Sequence, residues 1–176
     1  SAAGNGDRIG GLILNQDHIE QPPRGNKSGI LALLHEVAEH SDPENHIDTY
    51  SDSTREQALR FERGLMRLAR MARPGSLVFI LSDFYHLSEA AVQQLAKIRA
   101  GSECILIRTL DVLETTPPPA NRYTVTNGRH QSVLDTKDTR QTEQYRQWFE
   151  QHQNQFNKVS SQLGIPKVDL STNEHP

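Results

Sequence analysis

An aspartate placed directly after a five-residue apolar run is the position in this chain best suited to chemistry. Leu77, Val78, Phe79, Ile80 and Leu81 lead into Ser82-Asp83, and in open α/β sheets ligands gather at the carboxyl ends of strands. Asp111 holds the corresponding place after the next apolar stretch, residues 104–110. Carboxylate oxygens suit a hard cation such as Mg²⁺. A helix cap or turn former is the competing reading for both aspartates, and more strongly so for Asp111. His86, three residues beyond Asp83, reads as a surface imidazole, with a general base as the competing role.

Other constellations fall short on spacing. His35 and His40 are five residues apart, which turns their rings about 140° away from each other on a helix; zinc-protease helices place theirs four apart. His40 instead complements the helix's C-terminal dipole. Gly4, Gly6, Gly10 and Gly11 precede a strand instead of joining a strand to a helix, so they form no dinucleotide fingerprint. Gly25-Asn26-Lys27-Ser28 lacks phosphate-loop spacing, although Arg24 and Lys27 beside a helix start could hold an anion weakly. Cys104 opens an apolar strand and reads as an inert core thiol. Arg60, Arg63, Arg67 and Arg70 share one arc of a helix. They read as a solvated face, favoured by the interleaved Glu56 and Glu62, or as an anchor for an anionic partner. His152 reads as a core-edge histidine.

The elements that must position these residues alternate. A strand is expected over 8–14, then a short edge strand over 18–21 stopped by Pro22-Pro23, because proline cannot donate to a ladder. Ile30, Leu33, Leu34, Val37 and Ala38 recur at helical spacing over 27–40, so this face should pack. A second helix runs over 53–72, opened by the capping-box pair Ser53 and Glu56, with Ala58, Phe61, Leu65, Leu68 and Ala72 on its buried arc. The unbroken apolar run 77–81 predicts an interior parallel strand covered on both faces. Ser88 caps a third helix that Gly101 should close in the left-handed conformation. A buried strand over 104–110 follows. Residues 123–133 predict a hairpin turning at Asn127-Gly128. A long helix over 139–163 and a short strand over 167–171 finish the chain. The pattern predicts an α/β fold, a Rossmann-like open, mostly parallel sheet with helices on both faces and a β-hairpin insertion.

Composition narrows the function classes. The 176 residues are one domain's worth, expected over 6–174, with 1–5 as a tag or linker. Against 22 acidic residues, 19 Lys and Arg leave a net charge of −3, without the basic excess of an obligate nucleic-acid binder. One cysteine excludes an intrachain disulfide framework and points to a reducing, cytoplasmic setting. The longest apolar runs are five residues, against roughly 20 for a membrane span, so no membrane insertion is expected.

Several short motifs then occur in a fixed order: Gly6-Asp7-Arg8-Ile9-Gly10, Pro74-Gly75-Ser76-Leu77 running into Ser82-Asp83-Phe84, residues 108–114, Leu134-Asp135-Thr136, Leu163-Gly164-Ile165-Pro166 and Leu170-Ser171-Thr172. In that order they resemble the C-terminal part of the bacterial "domain of unknown function 58" family, over nearly the whole chain. The resemblance implies a von Willebrand factor A-like fold with a metal-ion-dependent adhesion site, in which three loops supply Asp-x-Ser-x-Ser, a threonine and an aspartate. Asp83 matches the aspartate. Thr54 matches the threonine, within Asp52-Ser53-Thr54-Arg55 instead of the glycine-flanked threonine usual there. The Asp-x-Ser-x-Ser element belongs on a strand and helix preceding Gly6, so the site is incomplete here. A protein with all three loops would take Mg²⁺ or another divalent cation, whereas tight binding is not expected of this chain.

The strand missing from that pattern would lie between residues 8–14 and 77–81. Its neighbours are therefore expected either to close directly on each other or to pair between chains, giving a homodimer through exposed sheet edges. The resemblance further implies a non-enzymatic protein–protein interaction module that partners a MoxR-type AAA+ ATPase in assembling or remodelling complexes, the metal bridging to an acidic residue of the partner. The alternative is a metal-dependent phosphoester hydrolase holding Mg²⁺ through Asp83 and Asp111, which requires a second ligand cluster and a poised base.

Overall fold

The computed structural model describes residues 7–14, 18–25, 27–41, 53–115, 118–126 and 131–171. The chain divides into two compact units, Ser1–Gly64 and Leu65–Pro176.

In the N-terminal unit, β1 (Arg8–Leu14) and β2 (His18–Gly25) form an antiparallel pair whose register shifts between Ile9 and Gly11. Here β2 does not stop at Pro22-Pro23 as expected. The prolines lie opposite the irregularity, where the ladder requires no donor. Gly10 makes this possible, because a Cβ there would sit 2.7 Å from the Gln21 carbonyl oxygen and 2.8 Å from the Pro23 nitrogen. Helix α1 (Lys27–Glu39) packs against both strands. Gly11 leaves room for the Leu33 methyls, and Gln21 Nε2 donates to Glu36 Oε1 at 3.3 Å. The packed stripe is therefore Gly29, Leu33 and Glu36. Leu34 and Val37, expected to pack, are exposed, and so is Leu31.

Helix α2 (Thr54–Met71) begins at the capping box as expected. The Ser53 backbone N–H and hydroxyl both donate to Glu56 Oε2 at 2.8 Å, and the Glu56 N–H donates back to Ser53 Oγ at 3.3 Å. Phe61 and Leu65 are buried on its apolar arc.

The C-terminal unit runs β3 (Leu77–Ser82), α3 (Glu89–Gly101), β4 (Glu103–Leu110), α4 (Val112–Thr115), β5 (Arg122–Thr126), β6 (Gln131–Asp135), α5 (Thr139–Leu163) and β7 (Lys167–Ser171). Strands β3, β4 and β7 make a parallel sheet in that order, and β5 and β6 an antiparallel hairpin. The expected α/β class, parallel sheet and hairpin are thus present; the predicted turn at Asn127-Gly128 lies outside the described residues. Ser88 Oγ accepts the Ala91 N–H and starts α3. Gly101, expected in a left-handed cap, stays within α3, which extended Ser102 ends. Its carbonyl accepts the N–H of Gly75, whose φ of 80° makes the preceding turn. Gly164, at φ 59°, closes α5, its N–H directed to the Ser160 and Ser161 carbonyls.

Both crossovers, β3 to β4 and β4 to β7, step in the same direction, so right-handed connections place α3 and α5 on one face. That face buries Val78, Ile80, Cys104 and Leu106 against Ala91, Leu95, Ile98, Phe156 and Val159. The other face is uncovered: Leu77 is 53% exposed, Phe79 51%, Leu81 63%, Val168 48% and Leu170 45%. Two expectations are corrected here. β3 alternates between buried and exposed instead of being covered on both faces, and among the described residues it pairs on one side alone instead of lying in the interior of the sheet. The physical reason is topological, since covering the second face needs a βα connection running the opposite way on the β3 side. Among the described residues β1 pairs with β2, and β3 with β4.

Candidate functional site

The carboxyl end of β3 is built as a tight, side-chain-bonded turn. Ser82 Oγ accepts the Phe84 N–H at 3.0 Å and donates to Asp83 Oδ1 at 3.3 Å, while Asp83 Oδ1 accepts the Tyr85 N–H at 3.2 Å. These bonds suit a chain reversal at Phe84, whose φ of 58° makes it the sole non-glycine residue in the left-handed region among those described. Packing holds it there. The Phe84 ring is buried and stacks on Phe156 of α5 with centroids 4.8 Å apart.

The next residues are fixed from the same helix. Tyr85 packs on Trp148 and His152 at 4.9 and 5.2 Å, those two rings lie 4.3 Å apart, and Gln155 Nε2 donates to the Leu87 carbonyl at 2.6 Å. His152 Nδ1 lies 2.7 Å from the Trp148 carbonyl, so the expected core-edge histidine is part of an aromatic clamp. With Phe84 anchored inward, Asp83 is left exposed at the rim.

Beneath the rim, Ser82, Arg108 and Asp169 share one register row across the three strands. Arg108 is 3% exposed, and its Nε and Nη2 donate to the two Asp169 carboxylate oxygens at 3.0 and 2.8 Å. Its guanidinium carbon lies 4.6 Å from the Phe156 ring centroid. A fork-to-fork pair of this kind satisfies a charge that burial would otherwise make costly. An arginine inside the apolar run 104–110 signals in the sequence that a buried partner is needed. Nothing there names Asp169, because the pairing depends on β7 joining β4 in one particular register. The Tyr85, Trp148 and His152 clamp was likewise not foreseen.

The other expected residues are distributed as follows. Thr54 is the first residue of α2 in the N-terminal unit and Asp83 belongs to the C-terminal unit, each described in its own unit. Ser53 beside Thr54 makes the helix cap. Asp111 Oδ1 accepts the Leu113 N–H at 2.7 Å and so caps α4; Tyr145 Oη donates to the Leu113 carbonyl. The carbonyl of His86 accepts the Ser88 N–H at 3.0 Å.

Asp83 and Ser82 offer hard oxygen donors. Among the described residues no group of three His, Cys, Asp or Glu converges. Burial pushes the Cys104 thiol up to about 11, with Arg99 opposing weakly, so it is not poised as a nucleophile.

A parallel sheet with its polar groups gathered at the strand ends, and an aspartate standing at the rim, defines an open-sheet α/β protein. The family model described as "Protein of unknown function DUF58" matches residues 1–158, and the chain belongs to that family. The match stops short of β7, the strand that supplies Asp169. No curated protein and no solved structure matches the chain.

Proposed function

We propose that the chain is a non-enzymatic protein–protein interaction module, von Willebrand factor A-like, that works with a MoxR-type AAA+ ATPase in the assembly or remodelling of complexes. The observation that carries this reading is the uncovered sheet face formed by Leu77, Phe79, Leu81, Val168 and Leu170. Contiguous exposed apolar surface of this kind marks an interaction site. Among the described residues one edge of β3 has no partner strand, a row of backbone donors and acceptors to which another strand can pair, and a second copy of the chain is one such partner. Asp83 stands at the carboxyl end of that same strand, where an approaching protein would meet it. Mg²⁺ or another divalent cation belongs to this reading only for a protein that also carries the third ligand loop, with Asp83 and Thr54 among its ligands. The proposed setting is cytoplasmic; among the described residues no helix is long and apolar enough to cross a membrane.

Calorimetric titration of the chain against a purified MoxR-type ATPase tests the proposal, with Phe79→Lys/Leu81→Lys as the surface variant. Binding should weaken at least about ten-fold, or about 1.4 kcal/mol, in the variant. Unchanged affinity, or no binding by the parent chain, contradicts the reading. A parallel screen for phosphatase and nuclease activity discriminates the hydrolase alternative. Turnover abolished by Asp83→Ala would replace the interaction module with an enzyme.

A further inference from the structure

Alternation along β4 turns Cys104, Leu106 and Arg108 toward the helices, so Glu103, Ile105, Ile107 and Thr109 belong to the open side of the sheet. Three positions of β3 and two of β7 join these four. All but Thr109 and Glu103 are apolar, and Glu103, at the amino end, carries the one charge among them. The apolar side chains from β3 and β7 are 45% to 63% exposed. Parallel sheets are ordinarily covered on both faces. This open side has the composition of the inner face of a sandwich, in which two sheets stack about 10 Å apart.

The two ends of β3 carry opposite charges. Arg73 is exposed at the amino end, where its carbonyl accepts the Ser76 N–H at 3.0 Å and the Ser102 hydroxyl at 3.3 Å and so sits beside the entries to β3 and β4. Asp83 is exposed at the carboxyl end. Neither forms an ion pair among the described residues. A two-fold axis between two stacked faces, crossing the strands, sets β3 over its own copy and antiparallel to it. Arg73 of each chain then meets Asp83 of the other, and Glu103 meets the end of β4 that carries Thr109. An axis along the strands would instead press the two Glu103 carboxylates together. The three strands span about 14 Å by 20 Å, so stacking two such faces removes roughly 1,000 Å² from water, the lower end of the range for specific interfaces.

We infer that a second copy of this chain docks on the open side of the sheet, face to face with its strands antiparallel, through the apolar residues of β3, β4 and β7 and two reciprocal Arg73–Asp83 pairs. The inference rests on the proposed reading of that face as an interaction surface, and it adds a regulation. A face taken by a second copy is closed to any other partner, so self-association and binding of the ATPase exclude each other. The modest area makes the dimer a weak one, which a tighter partner displaces.

Sedimentation equilibrium of the full chain tests it. The parent should show a reversible monomer–dimer equilibrium. Arg73→Asp and Asp83→Arg should each weaken the dimer at least about ten-fold, because each sets like charges opposite one another. An equimolar mixture of the two variants should recover the parent's association, since each supplies the charge that the other lacks, and that recovery also shows both variants to be folded. Asp83→Asn, which keeps an acceptor for the Tyr85 N–H, should give a smaller loss than the reversal. Adding a purified MoxR-type ATPase should convert the dimer into a complex with one copy of the chain. The inference fails if the parent is monomeric throughout, if the mixture associates no better than either variant alone, or if the ATPase binds the dimer without separating it. In each of those cases ATPase binding that Phe79→Lys/Leu81→Lys weakens leaves the proposed function standing. An ATPase that does not bind, beside a mixture that recovers, overturns the proposed function and leaves the dimer.

Discussion

The side chains that decide this structure are few, and each makes a measurable commitment. Arg108 is held against the Phe156 ring by two bonds to Asp169, so Asp169→Ala leaves a buried guanidinium without its acceptor. Breaking a fully buried pair typically costs 3–5 kcal/mol. The Asp169 side chain is 39% exposed, which lowers the expected loss to about 2 kcal/mol in a urea titration; a loss within 0.5 kcal/mol would show the pair to be incidental. Cys104 makes the opposite kind of commitment. Its thiol, pushed up to about 11 by burial, should react with a disulfide reagent at neutral pH many times more slowly in the native protein than in urea, whereas equal rates would place it at the surface. The inert thiol was legible from one cysteine inside an apolar run. The arginine's partner was not, because it lies 61 residues away in the sequence.

Elements show where local rules suffice. Helix α2 starts at Ser53 and Glu56 because a reciprocal capping box satisfies otherwise orphaned donors, and α5 ends at Gly164 because glycine accepts a positive φ; both were readable from spacing. The Ser53 donors hold the Glu56 carboxyl below its ordinary value, with Arg60 adding a smaller effect. A depressed carboxylate contributes stability above its unfolded pKa and loses it as pH falls through the folded value. The Ser53 amide resonance should accordingly titrate with a midpoint below the usual carboxylate range. Glu56→Gln should remove that titration while keeping the cap, and Ser53→Ala should cost about 1 kcal/mol. A Ser53 midpoint at the ordinary carboxylate value would show that the box is open in solution. Other elements depart from their local signals where tertiary context overrides them. Pro22-Pro23 continue in β2 because Gly10 gives way, and α1 packs through Gly29, Leu33 and Glu36 because Gly11 accepts Leu33. Neither accommodation can be seen from one strand or helix alone.

For the molecule as a whole, the informative misreading is the run 77–81. Five consecutive apolar residues predict a strand buried on both sides, and the parallel pairing with β4 is indeed present. Yet Leu77, Phe79 and Leu81 are more than half exposed, level with Ile105, Ile107 and Val168 on the neighbouring strands. The sequence pattern thus describes a strand made to be covered, on a sheet whose own crossovers place both helices on the other side. Exposed apolar patches are ordinarily limited to a few hundred Å² on proteins that act alone. If this face serves association, the parent chain should sediment with a concentration-dependent mass and enhance the fluorescence of an apolar dye. Phe79→Lys/Leu81→Lys should suppress both while changing unfolding stability by no more than about 0.5 kcal/mol, since neither side chain contributes to the buried layer. A monomeric, dye-silent parent would mean that the face is covered in solution. A variant that loses several kcal/mol would mean that Phe79 and Leu81 are core residues after all, and either result would remove the main physical support for an interaction module.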